Sequence, residues 1–444
     1  MPYTTTTLGQ ALTGLSAKLY DSTNQQWTTT ELTTYIVEAL RTWNSLTSFW
    51  RKEFAFPLAL GVWWYDLFAL PNSPALLSVT DTDLIKQIEY HLLEPLTSGY
   101  PLTWTGSSQF AVSDILGALQ GRRDEVLSDT SSVITRGTVN APFQLRISLS
   151  DNVIDVRRVA WLPGAGFGYS PTALIPSDDD ELDSFDAGWN LAGPLPPSSF
   201  RRSTQPPLTL DVDRIPPVPG NYEILSVNSA GSLSAAAPSL LGLPDDWIWV
   251  LKMGALSDLF SRSGLAQDPL RAEYAEKRYQ EGLNLLKSAP LLLGLKLNGV
   301  SMIPDSVRNG DDFDAGWQAL AAGTPGVCYL AGMNLLGFPL PDSGTAYSIV
   351  ATVVQNAPVP VLVGDFIQLG PEDLDAVLDY AQHLAMLKVG GAEFESTLPL
   401  YQGFLGQAST YNKKLVTLGS FQRPIYEVSQ LEVERNPVME GQGV

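Results

Sequence analysis

The sequence predicts an α+β fold in which an N-terminal helical bundle precedes a module of β-strands followed by two helices, and that module is duplicated. Three observations carry this prediction. Apolar residues recur at helical spacing through Leu32, Tyr35, Ile36, Ala39, Leu40, Trp43 and Leu46. From Asn140 the period changes to strict alternation, as in Phe143-Gln144-Leu145-Arg146-Ile147-Ser148-Leu149. Phe185-Asp186-Ala187-Gly188-Trp189 returns unchanged as Phe313-Asp314-Ala315-Gly316-Trp317, at an offset of 128 residues, and a fixed offset is the mark of an internal repeat.

Residues 1–130 read as a helical domain. Thr5 to Tyr20 sets Leu8, Leu12, Leu15 and Leu19 on one face, and Thr28 with Glu31 predicts a capping box that opens the next helix. Phe54 to Leu70 is apolar for nearly the length of a membrane span. Pro57 and Asp66 interrupt it, so a buried strand and turn is expected. Further helices are predicted from Asp83 to Glu94 and from Ser108 to Leu127, the second carrying Arg122, Arg123, Asp124 and Glu125 on a solvated face.

Residues 131–290 form the first module, a β-rich insertion plus a helix pair. Val153 to Trp161, Leu208 to Val212 and Tyr222 to Asn228 are strand-like, and Pro194 to Pro219 reads as an extended crossing. Leu243-Pro244-Asp245-Asp246 then starts a helix: Pro sits where its missing N–H costs nothing, and the acids face the positive end of the dipole. Residues 291–415 repeat the order. A strand at Leu291 to Leu297 comes first, a second runs from Val350 to Asn356, and Gly370-Pro371-Glu372-Asp373 starts the helix. The leading helices are expected to stop at Gly264 and Gly391, and the second helices run from Ala272 to Lys287 and from about Leu400 to Lys414.

Residues 416–444 form an extended C-terminal tail. It alternates apolar and polar residues without a core of its own, which predicts order gained by adding to another chain's sheet or groove. Tyr426, Val428, Leu431, Val433 and Arg435 are the candidate interaction residues.

Composition removes several functions. Hydrophobic residues at 44% suit a folded protein, and a net charge of −20 argues against general binding of nucleic acid. One cysteine, Cys328, and two histidines, His91 and His383, exclude an internal disulfide and a metal site built on several Cys or His. No basic N-terminal region followed by an apolar core is visible, so no signal peptide is expected.

Motifs of catalysis are missing too. Pro163-Gly164-Ala165-Gly166-Phe167-Gly168 superficially looks like a phosphate loop, but Tyr169-Ser170-Pro171 follows it instead of a helix. Ser177-Asp178-Asp179-Asp180-Glu181 holds carboxylates that suit a cation, yet lacks the alternating ligands and Gly turn of a calcium loop, and reads as a solvated loop. Asp186 and Asp314 form the one pair that suggests glycoside hydrolysis. Their recurrence favours a structural part, in which Asp bonds nearby amides, Gly takes an unusual backbone angle and Trp is buried. No catalytic, metal or cofactor residue is assigned.

Trp27-Thr28-Thr29-Thr30-Glu31-Leu32, Tyr35-Ile36-Val37-Glu38-Ala39-Leu40-Arg41, and the Pro244 to Lys287 helix pair with Leu256-Ser257-Asp258-Leu259 and Tyr274-Ala275-Glu276-Lys277-Arg278-Tyr279-Gln280-Glu281-Gly282 are the relevant motifs. In these the chain resembles the head-to-tail adaptor (neck or connector) proteins of tailed bacteriophages. The match covers about a quarter of the chain. The resemblance implies that residues 1–130 and 240–290 share one bundle around a β-rich insertion at 131–235. It also implies a cyclic oligomer, a dodecamer, that binds the portal protein and tail or neck proteins, in the virion at the head–tail junction after synthesis in the host cytoplasm. DNA would pass through the lumen without being held, as an acidic wall favours. Adaptors are commonly less than half this length and lack the second module.

The expected function is thus a structural virion protein, not an enzyme, with no cofactor and no membrane contact. The rival is a carbohydrate-binding or glycan-hydrolysing phage tail protein, suggested by eleven Trp and the repeated Asp-Ala-Gly-Trp.

Overall fold

The computed structural model describes residues 3–75, 77–94, 109–141, 143–164, 166–178, 180–181, 184, 193–202, 208–229, 231–264, 266–313, 317–320, 322–339 and 346–417. The fold is mixed α+β, with three sheets among these residues.

Helix α1 (Leu8–Lys18) begins at Thr7, which accepts from the Gln10 N–H while the Gln10 side chain accepts from the Thr7 N–H. Helix α2 (Thr29–Thr47) begins at Thr28, which accepts from the Glu31 N–H at 3.2 Å. The expected capping box is only half made. The Glu31 carboxylate turns inward instead, accepting from the Tyr35 hydroxyl at 2.7 Å and pairing with Lys388 at 3.0 Å. Leu32, Ile36, Leu40 and Trp43 are all buried, as the stripe predicts.

The remaining helices are α3 (Asp81–Leu92), α4 (Val112–Thr130), α5 (Ile248–Ser261), α6 (Pro269–Leu286), α7 (Val307–Phe313), α8 (Pro371–Val389), α9 (Gly391–Glu395) and α10 (Leu398–Thr417). The pairs α5–α6, α2–α8, α4–α5 and α8–α10 pack against one another. Helices α5 and α6 lie so close that a Cβ at Gly282 would stand 2.6 Å from the Val250 Cγ2. Of the expected glycine stops, Gly264 lies beyond the end of α5, and it is Gly390, at φ +75°, that caps α8.

Strands β1 (Arg51–Pro57) and β2 (Trp64–Asp66) occupy the apolar stretch that is nearly long enough for a membrane span. Among the described residues no helix is long and apolar enough to cross a membrane. Strands β3 (Thr135–Asn140), β4 (Arg146–Ser148), β5 (Val153–Pro163), β6 (Thr172–Pro176), β7 (Ser199–Arg202), β8 (Thr209–Val212) and β9 (Gly220–Asn228) form one sheet in the order β3-β9-β5-β6-β7-β8-β4. Of the alternating run at 143–149, residues 145–149 bond to the chain around β8, with Ile147 buried opposite Leu210, while Phe143 is exposed.

Strands β10 (Leu292–Leu297), β11 (Val300–Met302), β12 (Asp305–Ser306), β13 (Tyr329–Ala331), β14 (Leu335–Gly337) and β15 (Ser348–Val354) make two smaller sheets, ordered β1-β15-β10-β11 and β12-β13-β14-β2.

Packing does not follow the sequence borders at 130 and 290. One continuous core runs from Leu8 to Ala408 and takes residues from every described helical segment longer than two turns. The cause is strand exchange along the chain: β1 pairs with β15 and β2 with β14, so residues 1–130 complete both sheets of residues 291–415. Among the described residues the seven-stranded sheet has a second core, built on Ile147, Val159, Trp161, Leu210 and Tyr222.

A strand followed by two long helices occurs twice, with the short α9 between the helices of the second copy. β9 leads through a 3-10 turn at Asp245–Trp247 into α5 and α6, and β15 leads into α8 and α10. Each leading strand is an inner strand of its sheet. Trp317 is buried, with Trp64 at 5.5 Å and Tyr329 at 4.9 Å between ring centroids. Its counterpart Trp189 lies outside the described residues, as do Asp186 and Asp314.

The Arg122 to Glu125 cluster is a correction. Its arginines do not lie on a solvated face: Arg122 binds Asp258 and Glu276 on α5 and α6, and buried Arg123 donates to the Ser229 hydroxyl and the Gly231 carbonyl. The cluster ties α4 to both partners and to the chain leaving β9.

Candidate interaction surface

The clearest outward feature is a strap, residues 357–367, that joins β15 to α8. Pro358 and Pro360 cannot donate to a ladder, so the strap leaves the sheet and is held by α1 instead. The Leu8 N–H donates to the Asp365 carbonyl at 2.8 Å, Gly9 to Val363 at 2.9 Å, and Ile367 to Thr6 at 2.9 Å. The Asp365 carboxylate accepts from the Leu362 and Val361 N–H groups, which hold its pKa below the usual range. This turn forces Val361, Leu362 and Val363 outward, where they are 77%, 68% and 63% exposed.

Behind the strap lies a groove of about 580 Å³ between α1, α2 and α3, with Leu12, Val37, Trp249 and Val359 among its walls. Thr33 and Thr34 line its rim, their hydroxyls donating to carbonyls one turn back. Arg41 also lines it.

Two polar centres lie inside the bundle. In the first, Lys252 pairs with Glu38, and its Nζ lies 3.3 Å from His91 Nε2. Burial lowers the Lys252 pKa against the pull of Glu38, and burial together with Lys252 holds His91 well below its ordinary value. In the second, the Arg278 guanidinium lies 4.5 Å from the Tyr401 ring centre and 4.6 Å from that of Trp249, and pairs with Glu281 at 2.8 Å. Beside it, Thr397 donates to the Phe394 carbonyl, so it accepts from His383 Nδ1 at 2.8 Å, while His383 Nε2 lies 2.8 Å from the Tyr274 hydroxyl. Burial pushes His383 down to about 3. Both centres join helices from distant parts of the chain, and Glu38 and Trp249, one from each, also line the groove.

A third centre joins the two sheet systems. Arg158 on β5 donates to Asp311 and Gln318, and pairs with Glu223 at 3.2 Å, while Glu223 also accepts from Trp64 Nε1 at 2.9 Å. No sequence signal marks it, since its members lie scattered along the chain.

The sequence-predicted interaction residues Tyr426, Val428, Leu431, Val433 and Arg435 lie outside the described residues. After β5 the Gly164 N–H donates to the Pro219 carbonyl at 2.8 Å, and no helix follows among the described residues 166–176. In the acidic loop the Glu181 N–H donates to Asp178. Among the described residues no group of three or more His, Cys, Asp or Glu could hold a metal ion. Cys328 is buried, and burial raises its thiol pKa. The strap is the surface that sequence reasoning missed. Its run Val359-Pro360-Val361-Leu362-Val363 reads as core by hydropathy, and only the two prolines hint that it leaves the sheet.

No protein-family model matches the chain, and no curated protein matches it.

Proposed function

We propose that the chain is a structural virion protein that forms a ring at the head–tail junction of a tailed bacteriophage, joins portal to tail and surrounds the DNA path. The observation that supports this reading is the bundle itself. Helices α2, α3 and α4 pack in one core with α5 and α6, while the seven-stranded sheet between them keeps a core of its own. That is the arrangement the adaptor resemblance implies for residues 1–130, 240–290 and the insertion. The mechanism is mechanical: a heterologous contact repeated about an axis closes into a ring. A net charge of −20 suits a conduit that phosphates slide along without sticking.

The test is the mass of the purified protein under native conditions, with class averages of the particles. A ring of about twelve copies that binds purified portal supports the proposal. A chain that stays monomeric at every concentration and ignores portal contradicts it. The glycan reading gains little from the described tryptophans, since Trp27, Trp43, Trp50, Trp64, Trp161, Trp247, Trp249 and Trp317 are buried and Trp63 is half-buried. Hydrolysis of host polysaccharide, abolished by Asp186→Asn or Asp314→Asn, would favour it.

A further inference from the structure

The sheet β1-β15-β10-β11 ends at β1, and no described strand lies beyond it. The register from Arg51↔Val354 to Pro57↔Ser348 is unbroken. Just outside it, the Gln355 N–H donates to the Trp50 carbonyl at 2.9 Å and the Leu58 N–H to the Tyr347 carbonyl at 3.0 Å. Hydrogen-bonded pairs alternate along an antiparallel ladder, so these two bonds place them on the even-numbered residues of β1. Glu53 and Ala55 therefore turn their N–H and C=O groups away from β15, and both side chains are exposed. An edge of this kind is a template for another strand.

The C-terminal segment leaves the fold beside this edge. Near the end of α10, the Tyr411 ring packs tilted against Phe49, with centres 5.5 Å apart, and the Asn412 amide donates to the Leu46 carbonyl at 2.9 Å. Phe49 stands two residues before β1. Twenty-seven residues follow Thr417, enough to span about 90 Å when extended. They include the runs Ile425-Tyr426-Glu427-Val428 and Leu431-Glu432-Val433-Glu434, whose glutamates are opposite in charge to Lys52 on the edge strand.

We propose that the open edge of β1 receives residues 425–433 of a neighbouring copy as an added strand. This rests on the ring reading and deepens it. Strand donor and strand acceptor are different parts of one chain, which is what a heterologous contact needs in order to repeat from copy to copy and close. Main-chain bonds to Glu53 and Ala55 supply the affinity.

The experiment uses the full chain with Glu53→Cys and a series of single cysteines at positions 425–433, joined by a short bis-maleimide. Lys277→Cys on α6 replaces Glu53→Cys as control, and Cys328, being buried, stays unlabelled. The expected result is a ladder of covalent multimers from the edge pairs and none from the control. Cross-links only within one chain would overturn the proposal, since the occupant would then be the chain's own tail. Rings without any cross-link would overturn it while leaving the ring reading intact; no rings and no cross-links would sink both. Ala55→Pro removes an outward N–H that the β15 ladder does not use, so it should leave the melting curve unchanged and weaken assembly by about tenfold or more. Normal rings from folded Ala55→Pro also overturn the proposal. If that variant does not fold, Val428→Pro supplies the same test from the donor side.

Discussion

The Asn44 side-chain amide donates to the Asp246 carboxylate at 2.6 Å, deep in the core. The same amide donates to the Gln355 carbonyl at 2.8 Å, and the Ala357 N–H donates to Asp246 at 3.2 Å. One buried pair thus holds α2, the start of the first helix pair and the root of the strap together. Burial raises the Asp246 pKa to about 7, against the lowering effect of Asn44. In the unfolded chain the group titrates near the ordinary Asp value of about 3.9. Between the two values the folded state holds a proton that the unfolded state has released, so the Asp246 contribution is full below about pH 4 and is lost as pH rises through 7. The stability difference between wild type and Asp246→Asn, measured by urea unfolding from pH 4 to 8, should shift steadily in favour of the variant as pH rises. A difference independent of pH would show that Asp246 is ionised in the fold.

His383 titrates in an overlapping window with the opposite sign. Its folded pKa is pushed down to about 3 by burial, so below its ordinary value of about 6.5 the unfolded state binds the extra proton. Its contribution is present above pH 6.5 and is lost as pH falls toward 3. Because Asp246 and His383 oppose each other, the wild-type curve should be flatter than either group alone would make it. Asp246→Asn should steepen the acid-side loss, and His383→Gln should relieve part of it; an unchanged acid limb in His383→Gln contradicts the assignment.

Leu40 tests the stripe on which the helical bundle was predicted. It is 1% exposed and sits in the large core beside Trp43. Leu40→Ala should cost about 2–5 kcal/mol through lost burial and the cavity left behind. Leu40→Asp buries an unpaired charge as well and should prevent folding. A soluble Leu40→Asp chain that melts like wild type would overturn this placement.

Much of the fold was legible in residues that act locally. Thr28 announces the start of α2, Pro371 that of α8, and the helical spacing of Leu32, Ile36, Leu40 and Trp43 marks the buried face. What escaped depends on partners far away in the chain. Glu31 read as half of a capping box because Lys388, its partner 357 positions on, leaves no trace beside it. Arg122 and Arg123 read as solvated because Asp258, Glu276 and Gly231 are equally remote. The pairing that crosses residues 130 and 290 escaped for a similar reason, since β1 gives no local sign that its ladder partner is β15. At the candidate surface the apolar strap went unread, because hydropathy cannot tell a clamped turn from a buried strand.

The C-terminal segment should matter for assembly and not for folding. Every described helix is complete by Thr417, and the large core closes at Ala408. Deleting residues 425–444 should leave the unfolding curve unchanged while abolishing ring formation and portal binding in sedimentation. Normal particles from the truncated chain would count against any role for the tail in assembly.

The Glu38–Lys252 pair is the most exacting test of the bundle, because both groups are buried and each is the other's counter-charge. Burial lowers the Lys252 pKa while Glu38 raises it, so the ammonium depends on its partner. Removing one member should cost about 3–5 kcal/mol, since the other charge is left unpaired inside the protein. Replacing both, as Glu38→Met with Lys252→Met, removes the desolvation penalty together with the attraction, and should lie much closer to wild type than either single variant. Neighbouring His91 then loses the cation that helps to hold its pKa down, although burial, the larger cause, remains. A full double-mutant cycle by urea unfolding reads the coupling directly. If the two single losses simply add in the double variant, the pair is not coupled, and the helices must be held in register by the apolar core alone.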